Sequence, residues 1–227
     1  MNDHLGRLLA STRALLLDFD GPICNPFAGY PAPQIADDLR ESIRPWVSIP
    51  IGDLKTDDPL EFLRTIFRSM PGLLRTVEAR LDDAERTAVR TAQPTPYAHA
   101  LIATAARSGV PVAIVSNNSG RAIYDYLDLH DLQSVVATIV GRFPSRPNLM
   151  KPNPDPVIEA LTTLGVHPQE ATLVGDSVTD IEAAQKAETR SIGYAKHPSR
   201  VKALTEAGAD AVVESIGDLV TRWNGRR

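Results

Sequence analysis

Six short apolar, β-branched runs, at residues 13–19, 112–116, 135–140, 172–176, 190–194 and 211–213, alternate with longer amphipathic stretches along most of this 227-residue chain. Each run has the length of a buried parallel strand and is too short for a helix. The stretches between them, 97–108, 121–129, 154–164, 178–187 and 198–207, repeat apolar residues at helical spacing. Gly109, Gly165 and Gly208 each follow such a stretch, where a left-handed C-cap residue is expected. Strand–helix alternation of this kind predicts an α/β fold, an open and mostly parallel sheet with helices on both faces.

The rhythm fails once, over residues 25–94. This region opens with Pro26, Gly29, Pro31 and Pro33 and continues with helical patterns at 34–43, 59–69 and 72–91. Leu60, Leu63 and Phe67, then Leu73, Leu74, Val77 and Leu81, recur at helical spacing and predict core packing. No strand is evident there, and Gln93-Pro94-Thr95-Pro96 closes the region as a stiff connection. The expected division is a core of residues 1–24 and 95–227, with a small all-α unit of residues 25–94 inserted after the first strand. The pairs Asp37-Asp38, Asp57-Asp58 and Asp82-Asp83 fall at helix starts or on polar faces, where they cap or are solvated.

Composition narrows the class of partner. A net charge of -4 does not suit a nucleic-acid binder, which needs a concentrated basic face. The basic end Trp223-Asn224-Gly225-Arg226-Arg227 reads as a tail. Cys24 is the only cysteine, so no internal disulfide can form and a reducing compartment is expected. With no paired base near it in sequence, Cys24 reads as a buried or half-buried thiol and not a nucleophile. No stretch approaches the roughly 20 apolar residues that cross a bilayer, and residues 1–11 lack an apolar signal core. The expectation is a soluble, cytoplasmic chain with no membrane partner.

Chemistry concentrates at strand ends. Asp18-Phe19-Asp20-Gly21 follows Leu15-Leu16-Leu17, and carboxylates two residues apart on an extended backbone enter one pocket. Close like charges are costly unless a cation or a shared proton relieves them. Ser116-Asn117-Asn118 follows the second run, Lys151 lies in the loop before the helical stretch at 154–164, and Gly175-Asp176-Ser177 ends the fourth run with Asp180 four residues past Asp176. An open parallel sheet places its ligands beyond such carboxyl ends. Arg142 and Arg146 flank the loop before Lys151 and could add an anion contact, although a surface position is the better reading of both.

In order and spacing these residues resemble the motifs of the haloacid dehalogenase superfamily of phosphohydrolases. Leu15-Leu16-Leu17-Asp18-Phe19-Asp20-Gly21-Pro22-Ile23 matches the first, Ser116-Asn117-Asn118 the second, Lys151-Pro152 the third, and Gly175-Asp176-Ser177-Val178-Thr179-Asp180 the fourth. Pro22 departs from the pattern, which more often carries Thr there. The resemblance implies a Rossmann-like core and a helical C1-type cap that chooses substrates. It implies Asp18 as the nucleophile that forms an aspartyl-phosphate and Asp20 as the general acid-base. Ser116, Asn117 and Lys151 would hold the phosphoryl group. Mg²⁺ would be held by Asp18, Asp176 and Asp20, the last through its main-chain carbonyl, with Asp180 behind them or on Lys151. The implied activity is hydrolysis of a small phosphate monoester, with a phosphosugar mutase of the β-phosphoglucomutase type as the alternative. Asn25, Phe27, Tyr30 and Arg44 are the candidate substrate selectors on the insert.

Overall fold

The computed structural model describes residues 4–47 and 55–224. Gly225, Arg226 and Arg227 of the basic end lie outside the described residues. The strands in chain order are β1 (Ala14–Leu17), β2 (Cys24–Asn25), β3 (Gln93–Pro94), β4 (Val112–Val115), β5 (Thr138–Val140), β6 (Ala171–Gly175), β7 (Arg190–Tyr194) and β8 (Ala211–Val213). Six of them form one parallel sheet in the order β5-β4-β1-β6-β7-β8. All six expected runs are therefore strands.

Alternation along each strand feeds two apolar layers. Leu15, Leu17, Val112, Ile114 and Val174 face one layer, while Ala14, Leu16, Ala113, Val115, Ala171 and Leu173 face the other. Three strands stop earlier than the apolar runs suggest, because the backbone turns as soon as the polar residue arrives. Asp18, Ser116 and Asp176 consequently each stand one position past a carboxyl end. β1 lies where the sheet order reverses, with β4 on one side and β6 on the other, which is where open sheets bind ligands.

The helices in chain order are α1 (His4–Ala10), α2 (Ala32–Ile43), α3 (Pro59–Ser69), α4 (Leu74–Ala88), α5 (Ala98–Arg107), α6 (Gly120–Leu129), α7 (Asp155–Leu164), α8 (Val178–Lys186), α9 (Ser199–Glu206) and α10 (Ile216–Asn224). Gly109, Gly165 and Gly208 have φ of 73°, 64° and 89°, the left-handed conformation expected after a helix. Neither α1 nor α10 was expected. Ile216, Leu219 and Trp223 of α10 are buried in the main apolar layer beside Leu8 and Leu9 of α1. The tail reading of Trp223 is thus corrected: its indole is core, one i,i+3,i+7 stripe with Ile216 and Leu219.

Between β2 and β3 only helices and single 3₁₀ turns are found among the described residues. They pack around Ile35, Phe62, Leu63, Ile66, Val77 and Leu81, an apolar cluster separate from both sheet layers. Asp58 caps α3, its carboxylate accepting from Leu60 N at 2.8 Å and Glu61 N at 3.3 Å. One difference from expectation lies at the base of the insert. Cys24 pairs with Pro94 and Asn25 with Gln93 as a two-residue antiparallel ladder, too short to leave a periodic signal. Cys24 itself is buried, and burial pushes its thiol pKa well up, as the unreactive reading requires.

Candidate active site

Lys151 is the centre of the site. It is 2% exposed, and its ammonium donates to the Val115 carbonyl at 2.8 Å and pairs ionically with Asp18 Oδ1 at 2.8 Å and Asp180 Oδ1 at 2.5 Å. Burial works against its charge, but the two carboxylates outweigh that and raise its pKa. Asp18 Oδ1 also accepts from Phe19 N at 2.7 Å, which leaves Asp18 Oδ2 without a hydrogen bond among the described residues. Asp180 divides its labour. Oδ1 faces Lys151, while Oδ2 accepts from Ser177 N at 3.0 Å and Ser177 Oγ at 2.6 Å in a capping box that starts α8.

Two glycines permit this crowding. Gly21 has φ of 95°, and a Cβ there would collide with the Asp176 carboxylate; a Cβ on Gly175 would collide with Asp180. The Asp18, Asp176 and Asp180 carboxylates converge, with one oxygen from each lying within 4.8 Å of the others. The Asp20 carboxylate is not among them.

Like charge and burial appear in the carboxyl pKa values. Burial first, and then the Asp180 charge, push Asp18 up to about 6 against the pull of Lys151. Burial and Asp18 push Asp20 up to about 7, opposed by Lys196. Burial, Asp18, Asp180 and Asp20 push Asp176 up to about 8, opposed by Arg200. An all-oxygen donor set with unrelieved negative charge fits a hard cation such as Mg²⁺.

The remaining sequence candidates divide. Ser116, 1% exposed, donates from Oγ to Asn118 Oδ1 at 3.1 Å. Asn117 turns its amide to the Lys151 main chain, accepting from Lys151 N at 2.8 Å and donating to Lys151 O at 3.2 Å. Its side chain thus helps to place Lys151. Phe27 and Tyr30 pack against the insert's apolar cluster, and Arg44 pairs with Glu41 on the surface at 2.5 Å. Arg146 is exposed, as expected. Arg142 is not: its side chain is buried and forms a two-armed pair with Glu85 of α4 at 2.9 and 3.0 Å, which corrects the surface reading. Sequence reasoning missed Glu85 and Arg64 altogether. Arg64, on α3, donates to Lys151 O at 3.1 Å. No motif marks either residue, since both act across elements far apart in the chain.

Comparison with known proteins gives a consistent picture. The haloacid dehalogenase-like hydrolase family matches residues 55–194, more than half of the chain. That stretch includes Ser116, Lys151, Asp176 and Asp180, while Asp18 and Asp20 precede it. The phosphoglycolate phosphatase of Escherichia coli strain K12 is 29% identical over 112 residues, 49% of this chain and 44% of that enzyme. The chain therefore spans less than half of that relative's length. The phosphoglycolate phosphatase of Photorhabdus laumondii is 24% identical over 229 residues, covering 95% of this chain and 94% of the relative. A haloacid dehalogenase-like family hydrolase from Streptococcus pneumoniae superposes with a TM-score of 0.68 at 16% identity, over 93% of this chain and 98% of that one.

Proposed function

This chain belongs to the haloacid dehalogenase-like hydrolases, and on that premise we propose that it hydrolyses a small phosphate monoester through an aspartyl-phosphate on Asp18. The observation that carries the reading is Lys151 Nζ held between Asp18 Oδ1 and Asp180 Oδ1 at 2.8 and 2.5 Å, directly beyond β1, β4 and β6.

Asp18 Oδ2 attacks phosphorus in line with the ester oxygen, and the phosphorus–oxygen bond to the leaving group breaks. Asp20, whose pKa near 7 keeps much of it protonated at neutral pH, gives its proton to the departing oxygen. The carboxylate so formed then takes a proton from water as that water attacks the aspartyl-phosphate. Orthophosphate leaves and both aspartates return to their starting states. Lys151 holds phosphoryl oxygens and offsets their charge, and the Ser116 hydroxyl joins it by turning its one proton from Asn118 Oδ1 to a phosphoryl oxygen. Asp18, Asp176 and the Asp20 carbonyl would hold Mg²⁺, which would supply positive charge against the phosphoryl group and these carboxylates.

Residues 25–94 form the cap in this reading, and residues 1–24 and 95–227 form the core. The relatives named phosphoglycolate phosphatases make 2-phosphoglycolate the first substrate to assay, within a wider panel of phosphorylated metabolites. The reaction suits a cytoplasmic protein with a reduced Cys24. Hydrolysis of p-nitrophenyl phosphate in millimolar Mg²⁺, abolished by EDTA and restored by Mg²⁺, is the expected result. Hydrolysis indifferent to EDTA would overturn the metal assignment, and no turnover across the panel would overturn the activity.

The same carboxylates predict a pH-dependent stabilisation by the cation. Asp18, Asp20 and Asp176 have raised pKa values, so the fold binds more protons than the unfolded chain between about pH 4 and pH 8. It therefore loses stability as pH rises through that window. A cation relieves the ionised carboxylates, so the Tm gained from Mg²⁺ grows from about pH 5.5 to about pH 8. Thermal melts at the two pH values with and without Mg²⁺ measure this, and an equal gain at both pH values would contradict it.

A further inference from the structure

One carboxylate of the insert reaches the turn that follows β4. Glu85, 1% exposed, accepts from Arg142 Nη1 at 2.9 Å and Nη2 at 3.0 Å, from Ser119 N at 2.9 Å and from Asn118 Nδ2 at 3.4 Å. Arg142 Nη1 also donates to the Asn117 carbonyl at 3.0 Å. Three successive residues, Asn117, Asn118 and Ser119, are therefore fixed from α4, either directly or through Arg142.

The connections continue inward. Asn118 Oδ1 orients the Ser116 hydroxyl at 3.1 Å, and the Asn117 side chain holds both the N–H and the carbonyl of Lys151. Both phosphoryl-binding groups of the proposed reaction are thus set by a turn whose anchor lies in another element.

Holding α4 on the core does not require this pair. Glu78 accepts from Ser145 N at 3.0 and 2.9 Å, Asp82 from the Ser119 hydroxyl, and Arg86 pairs with Asp125 at 2.7 Å. A buried ion pair is in any case a poor device for stability alone, since well-packed apolar residues often serve equally well. Four donors converging on one carboxylate are instead suited to fixing a backbone.

We propose that Glu85, acting through Arg142, is a positioning residue that shapes the phosphate-binding turn, so that the insert completes the phosphoryl site as well as covering it. The inference rests on the phosphate role proposed for Ser116 and Lys151. The test separates positioning from packing by replacing both partners at once with Glu85→Met/Arg142→Met. Expected are a Tm within a few degrees of the unaltered protein, an inhibition constant for orthophosphate raised about tenfold, and kcat/KM for p-nitrophenyl phosphate lowered about 10²-fold, since small misplacements of binding groups cost that much. Both constants within about twofold of the starting values would overturn the proposal.

Should the double variant not fold, Arg142→Lys decides. Its single ammonium keeps the charge but cannot serve both Glu85 oxygens and the Asn117 carbonyl. It is expected to raise the orthophosphate constant about fivefold with little change in Tm, and an unchanged constant would overturn the proposal. An unaltered protein that shows neither turnover nor orthophosphate inhibition defeats the phosphatase reading itself and the proposal with it.

Discussion

Asp18→Asn is expected to lower kcat for p-nitrophenyl phosphate at least about 10⁴-fold, the scale on which loss of a nucleophile acts. The substitution is nearly isosteric. The amide oxygen can still accept from Phe19 N and from Lys151, and Lys151 keeps Asp180 and the Val115 carbonyl as partners. Folding should therefore survive, and near-unchanged circular dichroism alongside lost turnover separates chemistry from collapse. The physical cause is specific: an amide cannot form the acyl-phosphate that Asp18 Oδ2 is free to form. A variant that retains kcat would move the attacking group to another residue.

Lys151→Met should lower kcat/KM by about 10³-fold, the loss expected when one preorganised cation facing transferred charge is removed. It also strikes the fold. The side chain is 2% exposed, and its loss strands Asp18 and Asp180 without their shared cation. Breaking a buried pair from one side costs roughly 3–5 kcal/mol. In Mg²⁺-free buffer the two carboxylates protonate more readily instead, so the Tm deficit should be smaller at about pH 5 than at about pH 8. Steady-state kinetics and melts at both pH values check the two halves. A variant with full kcat/KM would exclude Lys151 from phosphoryl binding.

Much of the sheet was legible because its signals are local. Each strand is a short β-branched run, and each polar residue that ends a run also marks where a ligand side can form, as Asp18, Ser116 and Asp176 do. The convergence of Asp18, Asp176 and Asp180 followed from placing those ends on one edge of a parallel sheet. What escaped is non-local. Glu85 and Arg142 are 57 residues apart, and nothing in either neighbourhood announces the other. Arg64 meets Lys151 across 87 residues. Tyr30 and Phe27 are partly buried against the insert's apolar cluster, a packing partner that their own neighbourhood in the chain does not name. The tail reading of Trp223 failed for a different reason: the stripe with Ile216 and Leu219 was present in the sequence but outweighed by the terminal arginines.

The ladder of Cys24 with Pro94 and Asn25 with Gln93 brings the two crossings between sheet and helices side by side. A segment whose two ends meet in this way is topologically a detachable loop. It can be lengthened, shortened or exchanged without rethreading a single strand of the parallel sheet. A short turn joining Asn25 to Gln93 would close the remaining chain with its strand order intact. Exchange of such loops among relatives is then open to recombination at one narrow junction. The limit on that freedom is chemical: an incoming loop must bring its own carboxylate for Arg142, or the sheet must lose that arginine with the old loop.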